Sequence, residues 1–524
     1  MKRIIYFMAF GLTTVIASAR DTYESVELGS SDLNGTARYV GMGGALSALG
    51  GDITTMGSNP AGTALFRHNE IAVTLGGVFT EEKGQLGHDA SRMSFDQAGI
   101  VFIMDQSDAS GSGLQYINFG INYMKKRNHL GNFNVANVGG LGGGDFSQTW
   151  QIANMANAAY GEFDIKGRDG GYWPVLADWF APTYDSSKSS FNNDGALSYD
   201  VPADAFYGYT ANSAAYQRAT YGSNAQFDFN LSFNVSNQFF WGLSLGVYSM
   251  NYRLESLYFE NNSQGNYYLY NWYDSKADGF DIKLGFICRP IEESPFRLGV
   301  YIHTPTWYSM DDAKGCSVDY ADNIGSFNYS LANPDIPPYR YSYRTPWKFG
   351  LSIGHTIGKE LAFGAEYEFT DPSTARYYND QWKTDPDLSY INEERIKKYL
   401  RPQHTLKLGV EYKLVPEFAL RLGYNFVSSP YKSNAHRLLD EYDTYATETA
   451  YINWKDLHRV TFGFGYRFKG GYFDVAYQYQ AQKGDFYAFG CYNDYYDGSF
   501  KNDVPPTSVK NNRSQLMATL GFSF

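Results

Sequence analysis

The sequence predicts an all-β fold: a 14-stranded antiparallel transmembrane β-barrel with a small N-terminal hatch that contains short helices. Residues 515–524 alternate polar and apolar side chains without a break and end on the aromatic Phe524. This period of two is typical of a strand that lies between two different environments. Thirteen earlier segments share the pattern, and the connections between them alternate short and long, as in outer-membrane barrels.

Residues 1–19 have the features of a secretory signal peptide. Lys2 and Arg3 give a positive start, residues 4–16 are mostly apolar, and Ala17-Ser18-Ala19 is a small-residue cleavage site. A membrane anchor is the alternative, but about 13 apolar residues are fewer than the roughly 20 that a spanning helix needs. We therefore expect export and a location in the bacterial outer membrane.

Residues 20–69 lie between this segment and the first strand and predict a hatch inside the barrel. Gly41, Gly43 and Gly44 allow a positive φ or a close approach of two backbones. Asn59 and Pro60 predict the start of a helix, because the Asn side chain accepts an orphan backbone N–H and Pro suits the first helical position. A disordered tail is the alternative, and it would leave apolar residues of the segment exposed.

Residues 70–524 are predicted to form the barrel and its loops, of which 126–224 is the longest. Within that loop, residues 150–160 and 173–180 predict short amphipathic helices that form an external hydrophobic dock. A soluble β-sandwich is the alternative, but it would have short loops at both ends. The fourteen strands are predicted at about 70–80, 95–104, 116–125, 225–235, 239–253, 279–288, 296–303, 345–355, 361–370, 404–414, 418–427, 459–468, 472–481 and 515–524.

Composition excludes some partners and sites. The net charge of −12 argues against nucleic acid, which needs a basic surface. Tyr, Phe and Trp make up 18% of the chain, and aromatic girdles at the two membrane interfaces would use them. The three cysteines are widely spaced, which gives neither a disulfide framework nor a zinc site, although one bridge is compatible with an oxidising compartment.

The sequence predicts no enzyme, no cofactor and no metal. Two Gly-x-Ser-x-Gly matches, around Ser244 and Ser352, lie inside predicted strands with their small residues facing inward. A nucleophile elbow instead requires a sharp turn from a strand into a helix. The eight histidines show no metal-ligand spacing. We therefore predict no catalytic residues.

Charged side chains on the inward faces have two interpretations. One is a solvated lumen wall linked by ion pairs. The other assigns Lys407 or Arg421 to a ligand carboxylate, since a cation in a partly desolvated site attracts one. The inward set is Lys283, Arg297, Lys348, Glu366, Glu368, Lys407, Glu411, Arg421, Arg467 and Asp474.

Several motifs resemble the FadL/TodX family of outer-membrane channels. They are Gly-Met-Gly-Gly-Ala at 41–45, Asn-Pro-Ala-Gly at 59–62, Tyr301 to Pro305, and the hairpin from Leu408 to Pro430. The resemblance implies a 14-stranded barrel closed by an N-terminal hatch that contains Asn59, Pro60 and Ala61. It also implies a ligand that reaches the hatch through the lumen and leaves by a hatch rearrangement or a lateral opening.

On this resemblance we expect a passive, monomeric channel that takes up hydrophobic small molecules, long-chain fatty acids or aromatic hydrocarbons. Its gate would comprise Gly41, Gly43, Gly44, Asn59, Pro60 and Ala61. Its other partners would be the lipid of the outer membrane and, in a second hypothesis, a periplasmic or surface protein for which the barrel is an accessory or docking component of protein export. A third hypothesis is a surface adhesin.

Overall fold

The computed structural model describes residues 21–106, 113–139, 147–149, 151, 209–262, 265–322, 326–330, 339–384, 386–439, 448–493, 500–501 and 504–524. All statements on structure below refer to these residues. The predicted helices at 150–160 and 173–180 lie outside them, apart from residue 151. Antiparallel strands dominate the described chain, and fourteen of them close into a barrel.

Strands are numbered in chain order. They are β1 Glu70–Thr80, β2 Ser91–Asp105, β3 Leu114–Asn128, β4 Gly131–Val135, β5 Ala211–Val235, β6 Phe239–Asn262, β7 Gly265–Cys288, β8 Arg297–His303, β9 Trp307–Asp322, β10 Ser326–Ser330, β11 Tyr339–Arg344, β12 Lys348–Ile357, β13 Leu361–Thr370, β14 Arg376–Asn379, β15 Gln403–Val415, β16 Phe418–Val427, β17 Leu438–Leu439, β18 Tyr451–Phe468, β19 Gly471–Tyr487, β20 Cys491–Asn493, β21 Phe500–Lys501, β22 Thr507–Lys510 and β23 Arg513–Ser523.

The predicted fourteen-stranded barrel is confirmed. Its ring runs β1, β2, β3, β5, β6, β7, β8, β12, β13, β15, β16, β18, β19 and β23, each strand antiparallel to the next. The ring closes where β23 pairs with β1, from Glu70 opposite Ser523 to Thr80 opposite Arg513. Closure leaves no sheet edge, so each backbone polar group of the spanning strands has a partner within the barrel.

Several strands are longer than predicted, and the large extensions lie at the end that carries the long loops. β5, β6 and β7 have 25, 24 and 24 residues. The predicted loop 126–224 is therefore wrong at both of its ends, since β3 continues to Asn128 and β5 begins at Ala211. The upper parts of β7 and β9 pair with each other and extend the wall beyond the predicted strands.

The outer face of the barrel is apolar where the strands alternate. In β1, the side chains of Ile71, Val73, Leu75 and Phe79 are all exposed, whereas Ala72 and Thr74 between them are buried. The same exposed row continues around the ring, through Phe229, Leu245, Leu351, Leu408 and Phe462. This band is the surface that a membrane barrel turns toward lipid.

The helices are short and most precede β1. Before β1 they are α1 Thr22–Gly29, α2 Ala37–Gly41 and the 3₁₀ helices Ile53–Gly57 and Pro60–Leu65. Between β13 and β15 they are the 3₁₀ helix Pro372–Thr374 and the helix Pro386–Tyr390, which continues into a π-helical turn Ile391–Lys397. Within the described chain, no helix combines the length and the apolar composition that crossing a membrane requires.

Candidate functional site

The segment before β1 fills the barrel near the end that carries the short turns. Residues Leu33 to Leu65 contact the inward faces of strands all around the ring, and we call them the hatch. Most of the hatch is buried, including Ala37, Val40, Met42 and Ala61 at 0% exposure. A segment so enclosed closes the lumen at this level.

The wall meets the hatch through inward glycines on ten strands, which we call the glycine belt. A Cβ added at Gly409 would overlap the carbonyl oxygen of Met42, and one at Gly364 would overlap that of Ala45. Because a backbone carbonyl cannot rotate away as a flexible side chain can, these positions require glycine. The belt comprises Gly99, Gly120, Gly242, Gly285, Gly299, Gly354, Gly364, Gly409, Gly423 and Gly463.

The glycines of the hatch also have the predicted roles. Gly43 and Gly44 have φ of 62° and 83°, a region that disfavours residues with a Cβ. Gly41 ends α2, and its Cα approaches Gly463 of the wall. Hatch and wall therefore touch backbone to backbone here.

Asn59 begins the second 3₁₀ helix of the hatch, as predicted. Its Oδ1 accepts the N–H of Ala61 at 3.2 Å, and Pro60 occupies the first helical position. Its Nδ2 donates to the carbonyl of Ser47 at 2.9 Å, so the same side chain joins the two halves of the hatch. Asn59, Pro60 and Ala61 are all buried in the segment that the barrel encloses.

Polar contacts fix the hatch to the wall. Thr519 of β23 accepts the N–H of Ala37 at 2.7 Å, and Asn118 of β3 donates to the carbonyl of Thr63 at 2.7 Å. His303 of β8 lies 2.6 Å from the carbonyl of Ser58. Water can replace such bonds when two surfaces separate, so a polar interface can open at less cost than a purely apolar one.

One ion-pair network joins α2 to the wall. Arg38 Nε lies 3.2 Å from Glu411 Oε2, and Arg421 Nε lies 2.7 Å from the same atom. Arg421 also contacts Asp474, at 2.8 Å. Arg38 further donates to the carbonyl of Gly51 at 2.9 Å. The network connects two turns of the hatch to β15, β16 and β19.

Above the hatch, toward the long loops, lies a cavity of about 420 Å³. This volume is within the range of roughly 300–1,000 Å³ that small-molecule sites occupy. Its floor includes Tyr39, Thr54 and Ser58 of the hatch, and α1 contributes Tyr23 and Leu28 at the opposite side. Ligand in this cavity would contact the hatch directly.

The lining of the cavity combines aromatic walls with more cations than carboxylates. Tyr248, Tyr252 and Trp454 are among the aromatic residues. Six lining carboxylates are Glu24, Glu27, Asp32, Asp281, Glu368 and Glu448. Ten lining cations are Lys126, Arg127, Arg218, Lys283, Lys348, Lys407, Arg437, Arg459, Lys510 and Arg513.

Many of these cations already have a partner. Lys283 binds Asp228 and Asp281, both at 2.8 Å, and Lys407 binds Glu366 at 2.8 Å and Glu368 at 3.4 Å. Lys126 forms no ion pair with a carboxylate of the described chain. Its Nζ lies 4.4 Å from the centroid of the Tyr248 ring. Eight of the ten predicted inward charges therefore have an ion-pair partner, whereas Arg297 and Arg467 have none within the described chain. Three cations of the cavity lining, Lys126, Arg218 and Lys510, also form no ion pair with a described carboxylate.

Four carboxylates of the N-terminal segment, residues 21–32, bind basic residues of the wall and loops. Asp21 and Glu24 both pair with Arg437. Glu27 lies 2.7 Å from Arg127 and 2.9 Å from His129. Asp32 lies 2.7 Å from Arg513. These ion pairs hold the segment across the cavity.

The ion pairs of Glu27 and Asp32 lower the pKa values of their carboxyl groups. Burial raises the pKa of its carboxyl group, but Arg127 and His129 outweigh burial and lower that pKa to about 2. For Asp32, burial also raises the pKa, but the charges of Arg513, Arg127 and Arg459 and the hydrogen bond from the N–H of Asn128 together lower it well below its usual range. Both groups are therefore ionised at neutral pH, and the segment is anionic where it crosses the cavity.

The two residues predicted to contact a ligand lie in different places. Lys407 lines the cavity. Arg421 does not line it: the side chain is 4% exposed and bound between Glu411 and Asp474.

Ser244 and Ser352 are buried on inward strand faces, where Ser244 accepts from Asn230 at 3.0 Å and Ser352 donates to the carbonyl of Gly299 at 3.2 Å.

Within the described residues, no group of three or more His, Cys, Asp or Glu side chains could hold a metal ion.

Sequence reasoning missed Arg38, Lys126 and the glycine belt. The belt did leave a signal, because nearly every predicted strand carries a glycine on its inward face. Lys126 left none, because it lies beyond the predicted end of β3.

No protein-family model matches this chain, and neither does any curated protein sequence. Solved structures are similar to it over nearly its whole length. A FadL homologue of Pseudomonas aeruginosa is 13% identical with a TM-score of 0.49, over 95% of this chain and 100% of that one. The toluene transporter TodX of Pseudomonas putida is 13% identical with a TM-score of 0.49, over 94% and 99%. The toluene transporter TbuX of Ralstonia pickettii is 12% identical with a TM-score of 0.48, over 94% and 99%. The family that the sequence motifs resemble is thus represented among these structures.

Proposed function

We propose that this chain is a passive channel of the outer membrane that takes up amphipathic acids, such as long-chain fatty acids, and that the hatch gates it. The observation that carries the proposal is the cavity directly above the hatch, with ten cations and six carboxylates in its lining and aromatic walls beside them. A barrel with an apolar outer band supplies the membrane location.

The cavity favours an acid over a neutral hydrocarbon. A carboxylate in a partly desolvated site gains from nearby cations, and Lys126 faces the cavity with an aromatic ring as its neighbour. The alkyl chain of an amphipathic acid would contribute about 0.8 kcal/mol for each buried CH₂ group. A neutral aromatic hydrocarbon would use the walls alone and would leave the cations without a ligand.

In this proposal the hatch residues and the two candidate ligand contacts have distinct roles. Lys407 contacts the ligand from the cavity wall, while Arg421 acts on the gate through Glu411 and Arg38. Gly41, Gly43, Gly44, Asn59, Pro60 and Ala61 maintain the fold of the hatch that closes the lumen. Opening then requires the polar bonds between hatch and wall to exchange for bonds to water.

Mass spectrometry of small molecules extracted from the barrel, purified in a mild short-chain detergent, tests the proposal. We expect a bound carboxylic acid, and we expect the double variant K407Q/E366Q, which removes a buried charge pair together, to retain less of it. Neutral hydrocarbons bound in its place would contradict the acid preference. An empty barrel that copurifies with a stoichiometric periplasmic or surface protein would support the docking function instead.

A further inference from the structure

Four arginines lie at the end of the barrel that carries the short turns, on the far side of the hatch from the cavity. The charges that act on the guanidinium of Arg297 are those of Arg289, Arg67 and Arg38. Arg67 is exposed and the other three are half-buried. We call these four residues the arginine mouth.

The arginine mouth has too few anions of its own. Arg38 pairs with Glu411, but Arg67, Arg289 and Arg297 form no ion pair with any carboxylate of the described chain. Like charges held this close repel each other. An anion from outside would relieve this repulsion.

Neighbouring carbonyl and amide groups hold these side chains in place. Arg67 Nη2 donates to Asn237 Oδ1 at 2.8 Å, and Arg289 Nη1 donates to the carbonyl of Asn237 at 3.3 Å. Arg297 Nη1 donates to the carbonyl of Leu49 in the hatch. The Nε of Arg297 is buried without a hydrogen-bond partner in the structure. The Nε of Arg289 is likewise buried without a partner, so the guanidinium groups are positioned and two of their donors are left over.

We propose that the arginine mouth is a binding site for the carboxylate of an amphipathic acid on the periplasmic side of the hatch. This inference rests on the proposed function, because it concerns the same class of ligand at the point where that ligand leaves the channel. A guanidinium fork matches a carboxylate, and two charge-assisted bonds to it are stronger than bonds to neutral carbonyls. The site would hold the head group while the alkyl chain clears the hatch.

The site also contacts the gate. Arg297 and Arg38 donate to the carbonyls of Leu49 and Gly51, the two ends of one turn of the hatch. A carboxylate that binds Arg297 competes with the carbonyl of Leu49 for the same guanidinium. Binding at the mouth would thus weaken the hold of the wall on this turn.

Calorimetric titration of the full chain in lipid nanodiscs tests the site, with hexanoate as the probe and hexanol as its neutral match. In R67Q/R297Q we expect hexanoate affinity to fall by about tenfold, the effect of losing one charge-assisted hydrogen bond, with hexanol binding unchanged. The matched control is K359Q/K469Q, which removes two exposed lysines from turns at the same end. Heat-modifiable migration on a gel confirms that each variant is folded.

Three results would overturn the site: unchanged hexanoate affinity in R67Q/R297Q, an equal loss for hexanol, or an equal loss in the lysine control. Uptake measurements separate this inference from the proposed function. Normal fatty-acid uptake by the unaltered chain, combined with a hexanoate affinity that R67Q/R297Q leaves unchanged, would contradict the site alone. A chain that binds hexanoate through these arginines but takes up no fatty acid contradicts the proposed function.

Discussion

Arg38 of the hatch and Glu411 of the barrel wall form an ion pair, with 3.2 Å between Nε and Oε2. The Arg38 side chain is 17% exposed and that of Glu411 only 6%, so water screens the pair weakly. It links α2 to β15 of the barrel wall.

Replacing Arg38 with Met should loosen the hatch without unfolding the barrel. Glu411 keeps Arg421 as a partner, so the variant loses the charged hydrogen bond to Glu411, at a cost of about 1.5–3 kcal/mol, together with the bond to the carbonyl of Gly51. We expect larger or more frequent current steps in planar bilayers. Lys413→Met is the control, because Lys413 lies on the same strand and forms no ion pair within the described chain. Equal currents in both variants would show that Arg38 does not hold the gate.

Gly409→Ala should displace the hatch, because the added Cβ overlaps the carbonyl oxygen of Met42. Overpacking of this kind typically costs about 1–3 kcal/mol, and we expect the hatch to move because the closed wall cannot. Faster influx of a small dye into proteoliposomes would report it. Gly463→Ala is the milder control from the same belt, because the atom nearest to its added Cβ, the carbonyl oxygen of Val475, lies 3.2 Å away. Influx that is the same for both variants would contradict a tight belt.

Lys126→Met should reduce uptake of a fatty acid more than uptake of the alcohol of the same chain length. The Met side chain keeps an apolar stem beside Tyr248 but removes the charge, and a charge-assisted bond contributes about 1.5–3 kcal/mol. Lys125→Met is the neighbouring control, since Lys125 lies outside the cavity lining and donates to Ser94 at 2.6 Å. Parallel losses for acid and alcohol in K126M would indicate damage to the channel rather than loss of acid recognition.

The N-terminal segment should loosen as the pH falls from about 5 toward 2. The pKa of Glu27 is lowered from its ordinary value of 4.5 to about 2, so its ion pairs stabilise the docked segment fully above the ordinary value and are lost as pH falls through the lowered one. A nitroxide on Ser31→Cys, with the native cysteines replaced by Ser, should become more mobile over this range. Adding Glu27→Gln should give a mobile label already at neutral pH. If the mobility of the label changes neither with pH nor in Glu27→Gln, this account is contradicted.

The barrel could be predicted from the sequence because its signal is local. Lipid outside and polar contacts inside impose a period of two on every spanning strand, so Phe227 to Val235 identifies β5 without knowledge of its neighbours. The upper part of β7, from Gly265 to Asp278, could not be found in this way. It extends beyond the apolar band, and its two faces carry similar mixtures of Tyr, Asn and Asp.

The candidate site was predictable to the same extent. Asn59 and Pro60 start a helix through contacts with adjacent residues, so they could be identified as a pair. Arg38 and Glu411 are 373 residues apart, and no local pattern connects them. Arg421 was predicted as a ligand contact because it faces inward, but the direction of a side chain does not reveal which carboxylates reach it first.

The glycine belt has a consequence for the order of assembly. β1 and β23 close the ring, and the N–H of Phe524 donates to the carbonyl of Asn69 at 3.0 Å, directly after the hatch. The seam is thus formed by the first and the last strand of the barrel, and β1 directly follows the hatch. Because ten strands carry a glycine at this level, much of the space inside the wall is filled by the hatch. We therefore expect the hatch to be in place before β1 and β23 pair and close the ring.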